Sequence, residues 1–387
     1  MSIDINDIYS FCMNMVEYVS LTKYQTTSMG KGYPREPIPF TPLIRLHRLS
    51  ELTGCEILGK AEFLNPGGSA KYRTALGIVE DAEARGRLQP GDTIVEGSAG
   101  NTGIGLTIVG RAKGYRTVIV ICETTSPEKI RLLRRLGAEV LTVPERPFDH
   151  AGHYSREAQR LAAEHGWFWA DQFDNTANRV AHYRTTGPEI WEQTGGEVTG
   201  FVSAVGTGGT LAGTGAFLKQ QNRGITIACA DPYGAAMWSW FTRGDTDVRD
   251  GDSIAEGIGQ TRVTGNLAGV AVDRAYRIDD QTAVTIVHHL LREEGVCVGL
   301  SSGINLGGAV RLALERGPGQ VIVTILCDSG RNYQSRLFSH EWLAERGLGP
   351  DLPINSVLET QSWARTRKTM NDLCDSRLAA SCIIRRL

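Results

Sequence analysis

From residue 55 onward, short β-branched runs alternate with longer stretches whose apolar residues recur at helical spacing. The strand-like runs fall at 93–95, 117–121, 139–143, 201–205, 225–230 and 321–326. The helix-like stretches fall at 73–85, 104–112, 128–136, 155–164, 283–293 and 306–314. Parallel strands need a crossover of roughly a dozen residues or more, usually helical, so this alternation predicts an α/β fold of mostly parallel sheets covered by helices. The 387 residues leave room for two such units, at roughly 100–200 residues each. Residues 1–44 read as an N-terminal segment packing on the larger unit, with an amphipathic stretch at 8–19 and a Pro/Gly-rich connector at 30–42. A smaller αβα unit is expected over 45–175 and a larger one over 176–345. Over 346–387 the alternation stops and Arg365, Arg367, Lys368, Arg385 and Arg386 gather, which predicts a peripheral tail.

Charge and cysteine usage narrow the classes of partner. The 41 Lys and Arg nearly balance the 43 Asp and Glu, so no global field draws the chain to nucleic acid or an anionic membrane. No apolar run reaches the roughly 18 residues of a membrane helix. The eight cysteines form no Cys-x-x-Cys pair, and several sit inside apolar runs. That usage predicts reduced thiols in a cytosol-like compartment and neither a disulfide framework nor a metal site. Asp4, Asp7 and Glu17 precede the first arginine, Arg35, a poor match to a secretory or mitochondrial leader. The expected location is the cytoplasm.

Four glycine or serine clusters are expected to follow strands and open helices: Asn65-Pro66-Gly67-Gly68-Ser69-Ala70-Lys71, Gly97-Ser98-Ala99-Gly100-Asn101-Thr102-Gly103, Gly206-Thr207-Gly208-Gly209-Thr210, and Ser301-Ser302-Gly303. An α/β fold binds ligands there, at the carboxyl ends of strands and the positive ends of helices. Gly206–Thr210 is the best phosphate cradle, since its glycines let N–H groups converge and its threonines add hydroxyls; the plain alternative is a tight strand–helix turn. A phosphate loop of the Gly-Lys-Ser/Thr kind fails, because Lys71 lies between Ala70 and Tyr72. A dinucleotide fingerprint is broken by Gly209 and Thr210, although Asp231 stands where the acidic residue of that motif would. Lys71 opens a helix beside glycine turns, where the helix end disfavours its ammonium and favours the free amine of a Schiff-base lysine.

These residues resemble the cysteine synthase and cystathionine β-synthase family of pyridoxal-phosphate enzymes. The resemblance runs from Thr41-Pro42-Leu43-Ile44-Arg45-Leu46 to about Tyr333. It passes through the four clusters, Gln172-Phe173, Thr185-Thr186-Gly187-Pro188-Glu189-Ile190 and Glu256-Gly257-Ile258-Gly259. It implies a tryptophan synthase β-like fold: two three-layer αβα domains with mostly parallel twisted sheets and pyridoxal 5'-phosphate in the cleft between them. It implies that Lys71 binds the cofactor covalently and moves protons at Cα, and that Asn101 meets the phenolic oxygen. Gly206, Thr207, Gly208, Gly209 and Thr210 would hold the phosphate, and Ser301 would face the pyridine nitrogen. Ser98, Ala99, Thr102 and Gln172 would grip the substrate carboxylate, and Gly257 would look into the site from its loop. The implied reaction is β-replacement on an O-activated serine by sulfide or a related small nucleophile, in a homodimer. The alternatives are a β-eliminating lyase or dehydratase and a cystathionine β-synthase-like activity.

Three departures from the family's common pattern bear on the substrate and leave the cofactor chemistry intact. Ala99 removes a hydroxyl from the asparagine loop, Tyr72 follows the lysine, and Cys327-Asp328-Ser329-Gly330 replaces a Pro/Ser-rich turn. His288 and His289 are neighbours on a helix and point apart, so they read as core or surface. His150 and His153, in a loop beside Tyr154, read the same way. Trp238, Trp240 and Phe241 read as a contact between copies of the chain.

Overall fold

The computed structural model describes residues 40–248 and 251–358. The amphipathic stretch at 8–19 and the basic part of the tail lie outside the described residues. Among the described residues ten strands form two sheets. β1 (Leu43–Arg45), β2 (Glu56–Ala61), β10 (Val321–Leu326), β7 (Gly200–Ala204), β8 (Thr226–Pro232) and β9 (Arg274–Ile278) lie side by side in that order. Only β1 runs antiparallel, pairing Leu43 with Lys60. β10 sits between β2 and β7, with Thr324 opposite both Gly59 and Val202. The second sheet orders β5 (Glu139–Val143), β4 (Arg116–Cys122), β3 (Thr93–Gly97) and β6 (Phe168–Trp169), all parallel.

The expected alternation is present, and the two sheets divide the chain differently from the division at residue 45. β1 and β2 join the larger sheet, because β2 pairs along its whole length with β10 some 265 residues later in register (Val321 opposite Glu56). Sequence alternation reports that a strand exists, not which sheet receives it. The 346–387 expectation also changes at its start. Ile354 is buried in the main core, Arg292 reaches the Pro350 carbonyl at 2.9 Å, and Gln281 reaches that of Gly349 at 2.7 Å.

Helices cover both faces of each sheet because their apolar stripes have nowhere else to go. Helix Leu300–Arg316 lies against β7, β8 and β10 and buries Leu306, Ala309, Val310 and Leu312. Each fully buried Leu, Ile or Val stabilises the fold by about 1.5–3 kcal/mol relative to exposure. Helix ends are set locally. Asp279 accepts a bond from the Thr282 N–H at the start of Asp280–Glu293, and Pro127 opens Pro127–Leu136 where its missing N–H costs nothing.

Under the first turn of helix Lys71–Ala84 lies a buried ion cluster. Arg73, Lys60 and Glu62 have no solvent exposure. Arg73 Nε donates to Glu62 at 2.8 Å, its Nη1 to Glu189 at 2.6 Å and its Nη2 to the Thr41 hydroxyl at 3.0 Å. Lys60 donates to the other Glu189 oxygen at 2.6 Å, and Asn65 Nδ2 donates to Glu62 at 2.7 Å. Two cations meet two carboxylates, and the pairing fixes the turn that delivers Lys71.

Candidate active site

The carboxyl ends of β2, β3, β7 and β10 lead into the loops that carry Lys71, Asn101, Gly206 and Cys327. These loops line one cavity of about 380 Å3 between the two sheets. All four expected clusters contribute to it, but the last is placed differently from expectation. Ser301 lies in the first turn of helix Leu300–Arg316, which follows helix Asp280–Glu293 through residues 294–299 and not a strand.

Lys71 is the first residue of its helix and reaches the cavity half-buried. Burial pushes its ammonium below the ordinary lysine range, against a weaker pull from Cys327, Asp328 and Glu62. The amine is thereby readied as a nucleophile. Across the cavity the Gly206–Thr210 loop turns into helix Gly209–Gln221. Gly208 holds φ +87°, a region other residues avoid, and a Cβ on Gly206 would come within 2.3 Å of the Gly257 carbonyl. Neither position accepts a Cβ without a neighbour shifting. The loop is braced from behind. Asn178 Nδ2 donates to the Thr207 hydroxyl at 2.8 Å, and the Thr264 hydroxyl donates to the Thr207 carbonyl at 2.8 Å. Thr210 meets His182 Nε2 at 3.2 Å. Burial, helped by Lys71 and Arg73, pushes His182 down to about 3, so the ring is neutral.

On the third side, Ser98, Ala99, Asn101 and Thr102 open helix Asn101–Ala112. The Ser98 hydroxyl accepts the N–H groups of Gly100 at 2.9 Å and Gly103 at 3.1 Å, shaping the loop. Thr102 donates to Gln172 Oε1, while Gln172 Nε2 donates to Glu96 at 3.0 Å and to the Gly97 carbonyl at 2.7 Å. Burial and the nearby Asp171 push Glu96 up to about 8. Asn101 Nδ2 donates to Asp328 at 2.7 Å, while its buried Oδ1 has no partner. Ser301 lies beside Cys327, whose thiol burial and Asp328 push up to about 12.

Sequence reading passed over several lining residues. His153 and Tyr154 line the cavity, and the His153 ring accepts from the Ser155 N–H to start helix Tyr154–His165. Lys129, Glu145, Phe148 and Glu256 also line it. Lys129 is 1% exposed and bridges Glu256 at 3.0 Å and the Tyr333 hydroxyl at 2.8 Å. Glu256 lies in the Glu256-Gly257-Ile258-Gly259 motif without having been assigned a role, and no local motif marks the others; a basic residue inside an amphipathic helix reads as surface. His288 is buried, with Nε2 bonded to the Leu337 carbonyl at 2.8 Å. Asp231 is also buried and absent from the cavity. Its carboxylate accepts the Trp238 N–H at 2.8 Å, which removes the acidic partner of the dinucleotide alternative.

The Lys71 amine, the Gly206–Thr210 turn and the buried Ser301 hydroxyl at a helix start are gathered in one cavity between two mostly parallel sheets. The chain belongs to the pyridoxal-phosphate dependent enzyme family, which matches residues 35–328. It is 51% identical to cysteine synthase 1 of Neurospora crassa over 318 residues, covering 81% of this chain and 85% of that one. Cysteine synthase 1 of Emericella nidulans is 50% identical over 323 residues, with 82% and 87% covered. Cystathionine beta-synthase of Oryctolagus cuniculus is 39% identical over 80% of this chain but only 56% of its own. The solved structure of O-ureido-L-serine synthase superposes with a TM-score of 0.71 at 37% identity, covering 79% of this chain and 97% of that one.

Proposed function

We propose that this chain is a pyridoxal-phosphate-dependent cysteine synthase that exchanges the activated hydroxyl of an O-acetylserine-like donor for sulfide. The observation that carries the reading is the single cavity holding Lys71 opposite the Gly206–Thr210 cradle, in a chain about half identical to cysteine synthases over most of its length. The cavity fits the cofactor. The cradle admits no Cβ at Gly206, and the Asn101 carboxamide has an unused oxygen and one free N–H. Bound there, pyridoxal phosphate withdraws electrons from the substrate Cα.

The chain's own residues do the rest. Lys71 provides the amine that holds the cofactor and then takes the Cα proton, which its lowered ammonium stability permits. Backbone N–H groups of Gly206–Thr210 and the threonine hydroxyls take the phosphate charge. Thr102, Gln172 and the N–H groups of Ser98–Thr102 receive the substrate carboxylate. Ser301 would offer the cofactor's ring nitrogen a hydroxyl and no charge, an environment that would favour a neutral nitrogen and expulsion of a group from Cβ. The Cβ–O bond breaks, acetate leaves, a Cβ–S bond forms from hydrosulfide, and Lys71 returns the proton to Cα.

The working unit is a homodimer in the cytoplasm. Trp240, 37% exposed beside Trp238, supports a contact between copies, and the free thiols Cys55, Cys122, Cys229, Cys297 and Cys327 support a reducing compartment. Among the described residues no helix is long and apolar enough to cross a membrane. The test supplies purified enzyme with O-acetylserine, with and without sulfide. Cysteine as the main product with sulfide supports the reading. Pyruvate and ammonia under both conditions would make the chain a β-eliminating lyase. Product formed only from serine and a thiol amino acid would make it cystathionine β-synthase-like.

A further inference from the structure

Asp328 sits at the end of β10, 1% exposed, outside the lining of the cavity. One of its oxygens accepts from Asn101 Nδ2 at 2.7 Å and from the Tyr333 hydroxyl at 2.6 Å. Asn101 opens the helix after β3, so this bond joins the four-stranded sheet to the six-stranded one across the cavity floor. A carboxylate only accepts, whereas a carboxamide has a donor end and an acceptor end. Beside Asp328, therefore, the Asn101 amide is held with its nitrogen inward. One N–H is spent on Asp328, and the second N–H and the unpartnered Oδ1 are left in fixed places at the cavity wall. Reversing the amide would set two oxygens against each other in a buried site. Tyr333 is itself held by Lys129 Nζ at 2.8 Å, so the carboxylate is fixed from behind.

We propose that Asp328 is a positioning residue for the cofactor: it orients the Asn101 carboxamide so that its remaining N–H, rather than its oxygen, meets the cofactor's phenolic oxygen. The inference rests on the reading of this cavity as the pyridoxal phosphate site and of Asn101 as a cofactor contact. A serine at this position could donate as well as accept and would leave the amide free to reverse. The aspartate turns a mobile preference into a fixed one.

The test compares holoenzymes of Asp328→Asn, Asn101→Ala, the double variant and Tyr333→Phe. Readouts are the cofactor dissociation constant by equilibrium dialysis and the pH dependence of the visible cofactor band. Asp328→Asn and Asn101→Ala are each expected to weaken cofactor binding about fivefold to tenfold, the scale of one hydrogen bond, and to move the band's titration in the same direction. The double variant is expected to match Asn101→Ala alone, because Asp328 acts only through Asn101. Tyr333→Phe keeps the Asn101 bond and should shift the band less than Asp328→Asn does. An unchanged Asp328→Asn enzyme beside an altered Asn101→Ala enzyme overturns the inference and leaves the site reading standing. So does a double variant in which the two effects add, or an equal shift in Tyr333→Phe. An unaltered Asn101→Ala enzyme defeats the reading of Asn101 itself and takes the inference with it. If Asp328→Asn does not fold, Asp328→Ser serves in the same comparison with the same outcomes.

Discussion

Replacing Arg73 with methionine would keep most of the side-chain volume and remove the charge from the centre of the ion cluster. In the native protein Arg73 and Lys60 face Glu62 and Glu189, and the cluster is neutral. Without Arg73, two buried carboxylates share Lys60. Removing one partner of a buried pair costs about 3–5 kcal/mol, a large part of a typical stability of about 5–15 kcal/mol. At about 2–4 °C per kcal/mol for a large domain, the melting temperature should fall by roughly 10 °C. Burial alone pushes Glu62 up, yet Arg73, with Lys60 and Thr41, holds it below the ordinary carboxylate range. A depressed carboxylate stabilises the fold above its unfolded pKa, and that contribution is lost as pH falls through the folded value. In the variant, burial wins and Glu62 prefers its proton. The deficit should therefore be largest near pH 8 and narrow toward pH 5. Urea unfolding of wild type and Arg73→Met at the two pH values measures this. A deficit under about 1 kcal/mol, or one that widens as pH falls, refutes the reasoning.

Three further outcomes follow from the site. Ser301→Asp should keep its cofactor but lose most of the β-replacement rate, because a buried carboxylate beside the ring nitrogen raises that nitrogen's proton affinity; steady-state cysteine formation checks it, and full activity counts against the neutral-nitrogen argument. His182→Ala removes the ring that meets the hydroxyls of Thr210 and Thr186 and should weaken cofactor retention about tenfold, read by dialysis. Ending the chain at Gly349 deletes the contacts of Pro350 and the buried Ile354; urea unfolding should show a loss of about 2–4 kcal/mol, while cofactor content stays at one per chain.

Much of the chemistry was legible in the sequence because it depends on residues that only certain backbones can use. Gly206 and Gly208 are required by close approach and by positive φ, and Lys71 is placed by the turn before it, so local sequence carries both. The ion cluster was not legible. Lys60, Glu62, Arg73 and Glu189 come from a strand, a short turn and two helices, and each reads as a solvent-facing charge until the fold brings them together. The same holds for Lys129 and Asp328, whose roles come from partners two hundred residues away. Sheet membership was hidden for a related reason: the pairing of β2 with β10 is set by long-range register, while the alternation that announced both strands is local.

The account stands or falls on Lys71 being the residue that holds the cofactor. Borohydride reduction of the holoenzyme, followed by proteolysis and mass mapping, measures this directly. The expected result is a reduced pyridoxyl group on Lys71 alone, and none in Lys71→Ala, since Lys60 is committed to Glu189 and Lys129 to Glu256. A label on Lys60 or Lys129, or a reducible adduct that survives in Lys71→Ala, would contradict it.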